Sequence, residues 1–142
     1  MKTLFKTFSM ILIALVLGIF SCSKDDGPPP TTAELLAHKW FLVKRQDLST
    51  SPPTVFMADA CGRKTSNNFL EDGTFIFEGF QYNANNTCVS EFGPILYTYS
   101  ISPDEERIIV NVGMDTHTYN IDVLTETEFV YTWASTKYYF DR

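Results

Sequence analysis

The sequence predicts an all-β domain, a barrel or sandwich of antiparallel strands. Three observations lead there. After Lys39, apolar and polar residues alternate with period two through a succession of short segments, the pattern of strands buried on one face. Turn-forming residues break these segments at intervals of about eight to twelve residues. Only Ala33 to Ala37 reads as helix, and no internal repeat or second domain is visible.

The first 32 residues are of a different kind. Lys2 and Lys6 form a positive start, and Phe8 to Phe20 is apolar apart from Ser9 and Gly18. A charged start, a short apolar run and a small residue at its end are the marks of a secretory signal. The run is shorter than the roughly 20 residues a membrane-spanning helix needs. Ile19-Phe20-Ser21-Cys22 resembles the cleavage and lipidation site of bacterial lipoproteins: an aliphatic residue, a small residue, then a cysteine. Residues 1–21 are thus expected to be a lipoprotein signal peptide. Cys22 is expected to carry a diacylglycerol thioether, and several acyl chains on one residue hold firmly where a single chain holds only marginally. Ordinary secretion, with cleavage near Ser21 or Ser23, is the alternative. Ser23-Lys24-Asp25-Asp26 resembles the short acidic export signal of surface lipoproteins in Bacteroidetes-type bacteria. The expected location is the outer membrane, at the cell surface, with a periplasm-facing anchor as the alternative. Residues 22–32, with Gly27-Pro28-Pro29-Pro30, read as a linker with polyproline character.

The strands follow in order. Thr31 or Thr32 caps a short helix over Ala33 to Ala37, with Glu34 in its first turn. Lys39 to Arg45 places Trp40, Leu42 and Lys44 on one face. Asp47 to Ala60, with Pro52-Pro53, reads as a long polar loop. Asn67 to Leu70 and Thr74 to Phe80 flank Glu71-Asp72-Gly73, and Asp-Gly is a strong hairpin signal. A short strand near Thr87 to Phe92 is ended by Gly93-Pro94. Ile95, Tyr97, Tyr99 and Ile101 share a face, as do Ile108, Val110 and Val112. Tyr119, Ile121 and Val123 align, then Phe129, Tyr131 and Trp133, then Tyr138 and Phe140.

Charge and cysteines bound the function. The chain carries −6, and loss of Lys2 and Lys6 with the signal would take it to −8. Such a surface offers no basic patch for nucleic acid phosphates. With Cys22 lipidated, Cys61 and Cys88 remain as a pair, which an oxidising compartment would join as a disulfide. A metal or redox pair is the alternative, disfavoured by the wide spacing. No metal site or cofactor is expected.

Several motifs come in a telling order. Ala33-Glu34-Leu35-Leu36 leads into His38-Lys39-Trp40, and the Cys61 loop precedes Asn68-Phe69-Leu70-Glu71-Asp72-Gly73-Thr74-Phe75. Ser102-Pro103-Asp104, Arg107-Ile108-Ile109-Val110 and Tyr119-Asn120-Ile121-Asp122-Val123 follow. In this order they resemble the lipocalin-like domains of Bacteroidetes lipoproteins, with Lys39 standing where that family has glycine. The resemblance covers residues 33–142. It implies an antiparallel up-and-down barrel with a short N-terminal helix, and a pocket for a small hydrophobic ligand.

The expected inward residues are Trp40, Phe75, Phe77, Tyr97, Tyr99, Tyr119, Phe129, Tyr131, Trp133 and Tyr138. They either line a ligand cavity or fill the core. Catalysis is not expected. The only histidines are His38 and His117, and no nucleophile or zinc signature is present. Asp115 falls on the face of His117 in an extended strand, an arrangement that could orient an imidazole. Asp104-Glu105-Glu106 lacks the spacing of a calcium loop. Two functions therefore stand side by side: a membrane-anchored binding module for a small hydrophobic molecule, or a filled barrel serving as an interaction subunit. An outer patch of Leu96, Ile109 and Val130 would favour the second.

Overall fold

Nine antiparallel strands follow one short helix in the computed structural model, which describes residues 28–142. The signal peptide, Cys22 and the first part of the linker lie outside the described residues. Helix α1 spans Thr32–Leu36. The strands are β1 (Lys39–Asp47), β2 (Thr54–Met57), β3 (Ser66–Phe69), β4 (Thr74–Tyr82), β5 (Cys88–Ile101), β6 (Arg107–Val112), β7 (Asp115–Leu124), β8 (Glu128–Trp133) and β9 (Thr136–Asp141). A 3-10 turn covers Gly62–Lys64. Strands β1 and β3 to β9 pair in sequence, and β9 returns to β1. Eight strands thus close the ring, an antiparallel up-and-down barrel with no free edge where closure is complete.

One end is shut. Thr31 and Glu34 form a capping box at the start of α1. Thr32 Oγ1 donates to Glu105 Oε2 at 2.8 Å, tying the helix to the β5–β6 turn. Leu36 is fully buried, and its carbonyl accepts the Trp40 indole N–H at 3.1 Å. Above it sit Trp40, Phe69, Phe75, Phe129 and Phe140. The Phe69 and Phe75 rings stack at 4.6 Å, and Trp40 meets Phe129 at 5.5 Å. This aromatic base buries the largest apolar side chains and is the main source of hydrophobic stabilisation.

The other end is built from the segment between β1 and β3, the β4–β5 ribbon, and the β6–β7 and β8–β9 turns. Cys61 and Cys88 form a disulfide there, with Cα atoms 5.5 Å apart. It fastens the loop after β2 to the start of β5.

Four details depart from strict alternation. Residues 47–60 are not all loop, because Thr54–Met57 forms β2 against the upper half of β1. All four of its side chains are exposed, so alternation gives no sign of it. Gly93-Pro94 does not end a strand: β5 runs through it. The pair sits where the ladder with β4 is interrupted, between Phe77↔Ile95 and Gly79↔Phe92, a position that tolerates a residue lacking an N–H. A bulge between Leu42 and Lys44 shifts the register of β1. Arg45, rather than Lys44, therefore shares the inner face with Trp40 and Leu42, opposite Tyr138. A second bulge, between Ile121 and Val123, turns Val123 outward and brings Leu124 opposite Phe129.

Candidate ligand-binding site

The open end holds a cavity in two lobes. The smaller, of about 220 Å³, is lined by Asn67, Phe75, Phe77, Tyr97, Val112, His117, Tyr119, Tyr131, Trp133 and Tyr138. The larger, of about 610 Å³, lies toward β1, β2, β4 and β5. Its walls include Leu42, Arg45, Phe56, Met57, Phe80, Tyr82, Glu91, Phe92 and Phe140. Asn67, Phe77, Tyr131 and Tyr138 line both lobes and form the partition between them.

Strand register explains the partition. Asn67 stands opposite Trp40 on one side and Phe77 on the other. Tyr131 stands opposite Tyr138. Asn67, Phe77, Tyr131 and Tyr138 are inward positions, one step above the aromatic base. The smaller lobe is lined by rings stacked on one another: Tyr119 on Tyr131 at 4.7 Å, Tyr131 on Tyr138 at 5.1 Å, and His117 on Trp133 at 4.9 Å. No Asp, Glu, Lys or Arg lines it. Burial pushes the Tyr119 hydroxyl up to about 12, helped by Tyr97 and Tyr138. Burial also raises Tyr131 well above its ordinary value, with Tyr119 adding to the effect. These two hydroxyls thus stay neutral through the physiological range, and the lobe is largely apolar.

The larger lobe opens through the wall. Strand β2 pairs with β1 alone, and β3 reaches β4 only as far as Ser66↔Glu78. Above that point the β2 and β4 edges face a gap. The Thr65 hydroxyl partly fills it, accepting from the Phe80 N–H at 3.0 Å. Gly79 leaves room for Phe92, whose ring lies 3.0 Å from where a Cβ would stand. Arg45 lies over the Phe56 ring at 5.2 Å and makes no ion pair among the described residues.

Of the ten expected inward residues, seven line the smaller lobe: Phe75, Phe77, Tyr97, Tyr119, Tyr131, Trp133 and Tyr138. Trp40, Tyr99 and Phe129 line neither lobe. Trp40 and Phe129 are fully buried in the base, and Tyr99 is held by its hydroxyl donating to the Leu70 carbonyl at 2.9 Å. Sequence reasoning missed Asn67 and Arg45. A polar residue two places before Phe69 in an alternating strand was the available sign for Asn67.

The other candidates resolve differently. His117 lines the smaller lobe, but Asp115 does not, and no hydrogen bond joins them among the described residues. Asp104 is engaged by Ser102 and Arg107, which hold its carboxyl down at about 2. Val130 is only 2% exposed, so it does not join Leu96 and Ile109 in the outer patch that would have favoured an interaction subunit.

No family model matches the chain, and no curated protein matches it. Solved structures do. A lipocalin-like protein from Bacteroides uniformis superposes with a TM-score of 0.55 at 17% identity, covering 76% of this chain and 98% of that one. An uncharacterized protein from Bacteroides eggerthii superposes at 0.54 and 15% identity, covering 75% and 98%. With ring closure through β1 and β9, the fold is that of a lipocalin-like barrel.

Proposed function

We propose that the protein is a membrane-anchored lipoprotein whose barrel holds a small hydrophobic, ring-bearing ligand. The observation that carries this reading is the two-lobed cavity, lined by aromatic rings and open at one end. Such an enclosure, mostly apolar with a few polar groups, is the usual form of a small-molecule site. The anchor rests on Ile19 to Cys22, and the cell-surface location on Ser23 to Asp26. No catalytic step is assigned. Small molecules extracted from the purified full-length chain, and identified by mass spectrometry, test the binding role. A stoichiometric apolar compound is expected; an interior that retains nothing and admits no hydrophobic probe overturns it. Mass analysis of the mature amino terminus tests the anchor, which an unmodified Cys22 would rule out.

A second reading, an interaction subunit of a surface assembly, is favoured by β2. It is paired on one side only, and Val55, Phe56 and Met57 are exposed, Met57 by 68%. Crosslinking on intact cells that captures a stoichiometric protein partner through β2 would support it, and a monomer throughout would exclude it.

A further inference from the structure

We infer that the ligand is a neutral, planar ring system with a carboxamide-like edge, a carbonyl acceptor beside an N–H donor, and that Asn67 and Tyr131 bind that edge. This rests on the binding role proposed above and names its chemical class.

Asn67 carries the inference. Its side chain is 1% exposed, yet it lines both lobes. A side-chain amide offers two donors and an acceptor with two lone pairs. Among the described residues, the Asn67 amide makes a single hydrogen bond, from Nδ2 to the Tyr131 hydroxyl at 3.4 Å. That bond is long, and Oδ1 accepts nothing from the described residues. Exchanging the amide oxygen and nitrogen would reverse the bond and still leave the far end of the amide without a protein partner. Tyr131 is buried beside it, and while its oxygen accepts from Asn67 its own O–H has no acceptor among the described residues. No fully buried side-chain nitrogen or oxygen among the described residues lacks a partner, so the unbonded Asn67 oxygen is open to the cavity, where a ligand's donor can reach it.

The charge and shape of the smaller lobe select the partner. With no acidic or basic side chain lining it apart from the imidazole of His117, a carboxylate or ammonium there would lose its hydration without a counter-ion. A neutral edge that both donates and accepts matches the amide of Asn67 and the hydroxyl of Tyr131. Tyr131 is stacked between Tyr119 and Tyr138, at 4.7 and 5.1 Å, so this row turns ring edges to the lobe, which suit a ligand ring packed edge-to-face. Water could satisfy the same polar atoms, but it gains nothing from the apolar ring edges around them.

Three probes of one ring system separate the possibilities: 2-naphthamide, 2-naphthoate and naphthalene, measured by equilibrium dialysis against the purified full-length chain at pH 8. The amide is expected to bind at least about tenfold more tightly than either of the others, the worth of one good buried hydrogen bond. Asn67→Leu is expected to erase that preference while naphthalene binding persists. Tyr131→Phe, which keeps the ring stack, is expected to reduce it, and it remains informative if Asn67→Leu fails to fold. Equal or weaker binding of the amide, or a preference unchanged in the folded variants, overturns the ligand class but leaves the binding role standing. Failure of all three probes, and of hydrophobic dyes, overturns both.

Discussion

Trp40 is fully buried, donates its indole N–H to Leu36, and lies 4.9 Å beneath the Arg142 guanidinium. It therefore joins helix, barrel floor and chain end. Truncation by Trp40→Ala removes ring contacts and a hydrogen-bond donor together. The expected cost is about 3–5 kcal/mol, read from denaturant unfolding. Tyr119 and Tyr131 respond instead to alkali. Their folded-state values are raised above the ordinary tyrosine value near 10. Stability from keeping them protonated is complete below about pH 10, and is lost as pH climbs through about 12, where Tyr119 ionises when folded. A titration of phenolate absorbance should show these two hydroxyls ionising late or together with unfolding. An early, complete titration of all tyrosines in folded protein would contradict the burial. Asn67 and Arg45 mark the limit of reading residue roles from alternation. Asn67 has the right spacing but the wrong polarity for a core list, and Arg45 reaches the cavity only because a bulge moved it there.

Two elements hold the rim and the floor. The Cys61–Cys88 bond spans 27 positions of sequence and fixes the β4–β5 ribbon to the loop after β2. Its removal by paired Cys61→Ser and Cys88→Ser substitution is expected to lower stability by about 3 kcal/mol, chiefly by freeing the unfolded chain. At the floor, Gly73 closes the β3–β4 turn with φ +83, and a Cβ there would stand 3.3 Å from the Tyr99 carbonyl. Gly73→Ala is expected to cost about 1–2 kcal/mol through its left-handed backbone alone, measurable as a lower melting temperature. The Asp-Gly signal identified this turn because only certain residues take that conformation. The two bulges left no such trace. One extra residue in a strand changes which side faces inward without changing composition, so Val43 and Asp122 concealed the switch that follows them. The side chains of β2 were hidden for another reason: with none buried, hydrophobic patterning had nothing to record.

At the scale of the whole molecule, stability is distributed unevenly from floor to rim. The closed end is tightly packed around Leu36, Trp40, Phe69 and Phe129, whereas the open end contains the cavity and the half-paired β2. Amide hydrogens of β2 are expected to exchange much faster than those of β6 to β8, which are paired on both sides. Similar protection in β2 would mean that its outer edge is covered in solution. Alternation and turn spacing, which follow directly from burial on one face, reached an all-β barrel or sandwich, and the resemblance carried by the order of motifs along residues 33–142 chose the barrel. Cavity shape was not legible, since it depends on where eight strands stagger against one another.

Helix α1 covers the floor, and Pro28 is the first described residue before it. Cys22 lies only six positions upstream of that proline. A tether at this cysteine would fasten the barrel by its sealed end, and β1, nine residues long and tilted as barrel strands are, would set the mouth about 20 Å farther along the barrel axis. So mounted, the barrel would face the medium like a cup standing on its base: molecules would arrive from the surroundings, while acyl chains of the underlying bilayer would meet the closed end.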